Sequence, residues 1–162
     1  MMILILMGVA GSGKTTIGQL LAADLGWPFY DGDDFHPPEN INKMRNGWPL
    51  TDEDRRAWLA ALRRLIDGLL HEHASAIIAC SALKQAYRER LQGKDIDIRF
   101  VYLKGSYELI HQRLQARQGH FMQADLLASQ YEALEEPGEA LTVDIAAAPT
   151  AIIACIKKAL AV

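Results

Sequence analysis

The chain has 162 residues, 50% of them hydrophobic, and a formal net charge of -3, with a pI near 5.9. That length can bury one sizeable core and is short for two, so a single domain over 1–162 is expected. The charge balance excludes the broad positive field that a nucleic acid or an anionic membrane surface would require, and any phosphate binding must be local.

In chain order, Met2–Met7 is an apolar run of strand length. It is too short to cross a membrane, no basic segment precedes it, and it enters a glycine loop, so neither a signal peptide nor an anchor is expected. Helical period follows over Lys14–Leu25, then a short strand at Phe29–Tyr30 leads into an acidic turn. The stretch 35–50 shows no clear period and carries three prolines and the Asn46-Gly47 turn; uncovered loops of that length in compact domains are commonly functional or disordered. Asp52–Leu70 reads as a helix. Trp58, Leu62, Leu65 and Leu69 fall on one stripe, Arg55, Arg56, Arg63 and Arg64 lie largely off it, and Thr51 with Asp54 fits a capping box at its start.

Further strands are predicted at Ala76–Cys80, Ile98–Leu103 and Leu141–Ile145, alternating with helices at Lys84–Leu91, Tyr107–Arg117, Ala124–Leu134 and Thr150–Leu160. Continuous apolar strands separated by helices imply a parallel sheet covered on both faces, an α/β sandwich. A second, shorter break in the pattern lies around 117–123. Cys80 and Cys155 are far apart, without CxxC spacing, each in an apolar run. They are expected to be reduced core thiols of a cytoplasmic protein.

Between the first strand and the first helix, Gly8, Val9, Ala10, Gly11, Ser12, Gly13, Lys14 and Thr15 spell G-x-x-x-x-G-K-[ST], followed by Thr16. Glycines let such a loop curl so that successive N–H groups point at phosphate oxygens, at the positive end of the helix that follows. Lys14 would bridge the β- and γ-phosphates of ATP, and Thr15 would offer its hydroxyl to Mg²⁺.

A phosphate cradle does not say what happens to the phosphate. Switches and motors of this class hold the metal through an Asp ending another apolar strand. Here AIIAC ends in Ser81 and FVYL in Lys104; only Asp144 lies in such a run, without a following acid to orient water. The carboxylates gather instead after the second strand, at Asp31, Asp33 and Asp34. Loops at the carboxyl ends of parallel strands share one crevice, so this turn should face the cradle. If the segment is extended, Asp31 and Asp33 fall on one side, one for the metal's water shell and one for an incoming hydroxyl.

Taken together, several motifs resemble the gluconate kinase family, within the shikimate-kinase-like P-loop kinases. They are GVAGSGKT, DGDDFHPPENINKM (31–44), GWPLTDEDRRAWL (47–59), CSALKQAYR (80–88), YLKGS, RLQARQGHFM (113–122) and LLASQYEALEEP, in that order along most of the chain. Ala57 stands where many relatives carry proline.

The resemblance implies ATP-dependent phosphorylation of D-gluconate at its 6-hydroxyl, giving 6-phosphogluconate and ADP. It also implies a five-stranded P-loop sandwich with a small lid over about 113–135, and it suggests a homodimer. Gluconate is an anionic polyol, so its site needs a cationic clamp for the carboxylate and several hydroxyl partners. Arg55, Lys84 and Arg88 can supply the clamp, and Asp33, His36 and Asn40 the hydroxyl contacts, with Lys43 and His120 grouped beside them. Arg113 and Arg117, four apart on one helix face, are the expected lid arginines over the transferring phosphoryl group, and the sequence does not rank them. The rival readings are a kinase of shikimate or a nucleoside monophosphate, and a nucleotide-binding regulatory module without transfer activity.

Overall fold

The first strand, β1 (Ile3–Met7), is buried at every position, which requires a cover on each face. Alternate side chains supply both covers. Leu4 and Leu6 pack with Ile17, Leu21, Ile110 and Ile152, whereas Ile3, Ile5 and Met7 pack with Trp58, Leu62, Ile66 and Leu91. The structure is a computed structural model that describes residues 1–117 and 124–162, leaving aside the side chains of Ala124 and Asp125.

Four more strands join β1: β2 (Phe29–Asp31), β3 (Ala76–Ala79), β4 (Ile98–Lys104) and β5 (Leu141–Asp144). Their order is β2-β3-β1-β4-β5, and every pairing is parallel. Helices α1 (Lys14–Leu25), α5 (Tyr107–Ala116) and α7 (Pro149–Leu160) cover one face, and α3 (Asp52–His71) and α4 (Gln85–Gln92) the other. Two further helices, α2 (Pro38–Arg45) and α6 (Ala124–Ala133), flank the carboxyl ends of the strands. The expected five-stranded parallel sandwich is the fold observed.

Local chemistry explains the boundaries. Thr51 Oγ1 accepts from the Asp54 N–H and the Asp54 carboxylate accepts from the Thr51 N–H, completing the predicted capping box of α3. At the end of α1, Gly26 takes the left-handed conformation (φ 68) and its N–H bonds Ala22 O. Gly8 has φ 149, and a Cβ there would lie 2.8 Å from Ser12 Oγ and 2.9 Å from Leu103 O, so the cradle cannot close around a larger residue.

Four expectations need correction. The stretch 35–50 contains α2, whose polar composition hid its period; proline in its first turn and Lys43 and Arg45 in its last turn suit a helix. The acidic segment is not extended: Gly32–Phe35 forms a 3-10 turn capped by the Asp31 side chain. On α3 the buried stripe runs through Trp58, Leu59, Leu62, Ile66 and Leu69, and Leu65 is only half-buried, because a straight helix drifts from the spacing read in the sequence. Cys80 is buried, but Cys155 is exposed, on the outer side of α7.

Candidate active site

The P-loop and the acidic turn meet although β3 separates their strands. Thr15 Oγ1 donates to Asp31 Oδ2 at 3.0 Å, and the other oxygen of Asp31 accepts from the Asp33 N–H, also at 3.0 Å. A Cβ on Gly32 would lie 2.4 Å from Ala79 O. Glycine there lets the turn lie directly against the end of β3.

Two cavities open on either side of this junction. One, of about 330 Å³, is lined by the cradle residues Gly11, Gly13, Thr15 and Thr16 together with Asp31, Ile41 and Arg117. The other, of about 90 Å³, is lined by His36, Trp48, Arg55, Trp58, Ser81 and Gln130, among others. Ala10, Lys14, Asp33 and Met44 belong to both walls. A third cleft, of about 740 Å³, lies at the start of β4 and β5 beside α4 and shares no residue with the P-loop.

Lys14 Nζ donates to Gly8 O and Val9 O at 3.0 and 2.9 Å. Burial lowers its pKa, Arg117 adds to that effect, and Asp33, Cys80 and Asp31 oppose it. Asp33 shows the reverse balance: its pKa is raised first by desolvation, then by Asp31 and Asp34, against the pull of Lys14. Its side chain is nonetheless 78% exposed, since it faces an open cleft. A carboxylate shifted this way is a better proton acceptor near neutral pH.

Arg55 Nη1 donates to Leu50 O at 2.8 Å and lies 3.4 Å from Tyr87 Oη, and the residue lines the smaller cavity. The other two candidate clamps are engaged elsewhere. Lys84 pairs with Asp52 at 2.9 Å. Arg88, 8% exposed, gives Nη1 to Ala82 O and Leu83 O and Nη2 to Glu135 O. It ties the loop after β3, where Ala82 has φ 44, to the chain beyond α6. Lys43 binds both carboxylate oxygens of Asp54 at 2.7 and 2.8 Å, joining α2 to α3.

The paired arginines diverge: Arg117 lines the cradle cavity, whereas Arg113 Nη2 donates to Ile145 O at 2.7 Å. His120 lies outside the described residues. Sequence reasoning missed Gln130 and Trp48. Gln130 gave no signal beyond its place in ASQYE, but Trp48, 61% exposed, could have been suspected as a large aromatic beside Gly47 in a polar stretch.

Among the described residues no group of three His, Cys, Asp or Glu side chains could cage a metal. The Thr15 hydroxyl and Asp31 carboxylate instead offer two hard oxygens, the donor type that Mg²⁺ takes alongside phosphate and water.

A phosphate cradle and a second cavity meeting at a lysine and a carboxylate, on a five-stranded parallel sheet, define a P-loop kinase of the small-molecule type. The family profile for shikimate kinase matches residues 10–147. A gluconokinase of Gluconobacter oxydans (strain 621H) is 48% identical over 136 residues, covering 84% of this chain and 76% of that one. The thermoresistant gluconokinase of Escherichia coli (strain K12) is 44% identical over 147 residues, covering 88% and 84%. A crystal structure of a gluconokinase from Sinorhizobium meliloti 1021 superposes with a TM-score of 0.90 at 41% identity, covering 99% of this chain and 91% of that one. The chain belongs to the gluconokinases, within the shikimate kinase family.

Proposed function

We propose that the protein transfers the γ-phosphoryl group of ATP to the 6-hydroxyl of D-gluconate, giving 6-phosphogluconate and ADP. The observation that carries this reading is that Lys14 and Asp33 stand on the shared wall of the two cavities. A phosphoryl group in the cradle and a hydroxyl in the smaller cavity would thus meet over one cation and one base.

In this reading the N–H groups of residues 13–16 hold the phosphates, and Lys14 and Arg117 offset the charge that spreads over the transferring group. Asp33 accepts the proton of the 6-hydroxyl. Arg55 pairs with the gluconate carboxylate, leaving Lys84, Arg88 and Lys43 to hold the walls in place. Thr15, and Asp31 through water, would hold Mg²⁺, which would supply positive charge against the phosphates.

A coupled assay of ADP release with gluconate, shikimate, AMP and no acceptor tests it. Release should depend on gluconate, since water is a poor substitute for an acceptor bound in place. Equal rates with and without gluconate would show a nucleotide hydrolase or switch instead.

A further inference from the structure

We propose that Asn40 acts without touching the substrate: it fixes the Nε2–H tautomer of His36, so that His36 donates to, and Asp33 accepts from, one and the same acceptor hydroxyl. The identity of that hydroxyl rests on the kinase reading above; the tautomer rests on geometry.

Asn40, 2% exposed, sits on α2 with its Nδ2 2.7 Å from Asp54 O and 3.2 Å from His36 Nδ1. A backbone carbonyl can only accept, so the atom facing Asp54 O must be the amide nitrogen. That nitrogen has a second hydrogen, directed at His36 Nδ1. Nδ1 must therefore offer a lone pair, and a neutral imidazole that accepts at Nδ1 carries its proton on Nε2. His36 is neutral at pH 7: burial, then the charge of Arg55, lowers its pKa to about 4.

The ring is also held against rotation. It stacks on Trp58 with centroids 4.4 Å apart and planes 12° from parallel, and Trp58 Nε1 donates to Gly32 O at 2.7 Å. Turning the ring over would put Cδ2 where Nδ1 stands and break the Asn40 contact.

Nε2 lies 4.0 Å from Asp33 Oδ1, too far for a direct hydrogen bond. Two bonds of about 2.8 Å meeting at roughly a right angle on one oxygen span that distance. A hydroxyl placed there receives Nε2–H on one lone pair and gives its proton to Asp33. The other lone pair stays free to form the new O–P bond while the bond from phosphorus to the departing ADP oxygen breaks. Without the fixed tautomer, Nε2 would present a lone pair to the Asp33 carboxylate, and the hydroxyl could not satisfy both.

The test reads the tautomer directly, in protein carrying ¹⁵N-histidine, by long-range ¹H–¹⁵N correlation at pH 7, with the His36 signal identified by its loss in His36→Gln. We expect protonated Nε2 and unprotonated Nδ1 in the wild type, with or without gluconate. Asn40→Ala should give a mixture of tautomers and lower kcat by about tenfold or more, the usual scale for a misplaced reacting group, with the KM for ATP unchanged. His36→Gln, whose amide nitrogen can occupy the Nε2 position, should keep more kcat than His36→Asn, which reaches only the Nδ1 position. A wild-type Nδ1–H tautomer, or an Asn40→Ala variant with wild-type tautomer and kcat, would overturn the proposal even if Asn40→Ala proved unstable in other respects. Failure of the gluconate assay with the Nε2–H tautomer intact would instead count against the substrate.

Discussion

Gln130 on α6 accepts a 2.7 Å hydrogen bond from the backbone N–H of Ala10 in the P-loop, 120 residues away. A backbone N–H only donates, so Oε1 must face Ala10 and the amide nitrogen is left for the other side, where Gln130 lines the smaller cavity. Helix α6 thereby touches the P-loop and the smaller cavity with one side chain. Gln130→Leu should lower kcat/KM for gluconate by about tenfold, the effect of losing one or two hydrogen bonds of ~1 kcal/mol, with little change in melting temperature. Steady-state kinetics beside a thermal melt checks both halves; a large loss of stability with normal kcat/KM would make Gln130 a structural strut.

The three neighbouring acids should respond differently to amide substitution. Asp33→Asn removes the proposed proton acceptor and should lower kcat by about 10²-fold or more. Asp31→Asn should raise the Mg²⁺ concentration needed for half-activity, because its carboxylate already engages Thr15. Asp34→Asn should do least, since Asp34 is exposed and lines neither cavity. With the Asp33 pKa raised, the acid limb of the kcat/KM profile should lie above the ordinary Asp range. The limb should disappear in Asp33→Asn; a limb unchanged in that variant would assign it to another group.

For Arg113 and Arg117, the structure separates what the sequence left equal. Arg117→Ala should lower kcat more than it raises the gluconate KM, because the charge it offsets grows in the transition state. Arg113→Ala should mainly lower the melting temperature, as it leaves Ile145 O without its 2.7 Å donor. The reverse pattern in the two variants would transfer the phosphoryl role to Arg113.

Acid stability should depend on the link between α2 and α3. The hydrogen bonds from Lys43 first, and then those of Thr51, lower the Asp54 pKa from the ordinary 3.8 to about 2. A folded pKa below the unfolded one contributes stability that is complete above about pH 4 and is lost as pH falls through about 2. Denaturant midpoints of the wild type should decline across that window, and Asp54→Asn should decline less. Parallel curves for the two proteins would show that the pair does not contribute.

The phosphate cradle was legible from sequence because it is local. Gly8, Gly13, Lys14 and Thr15 fall within one short loop, and their spacing, after an apolar run and before a helical one, is itself the signal. The same holds for the five apolar strands and for the Thr51/Asp54 cap, whose partners are at most a turn apart. Helix α2 was not legible, because it buries little apart from Asn40 and hydrophobic period is the signal that sequence reading depends on. Nor could spacing distinguish Arg55, which faces the cavity, from Arg88, which spends its donors on backbone carbonyls. Both are basic residues near helix starts, and only the packed loop after β3 decides which guanidinium is committed. The contacts of Asn40 with His36 and Asp54, and of Gln130 with Ala10, were decided by tertiary structure for the same reason. A hydrogen bond depends on tenths of an ångström and on which atom faces which, and the chain fixes those only after its layers have packed.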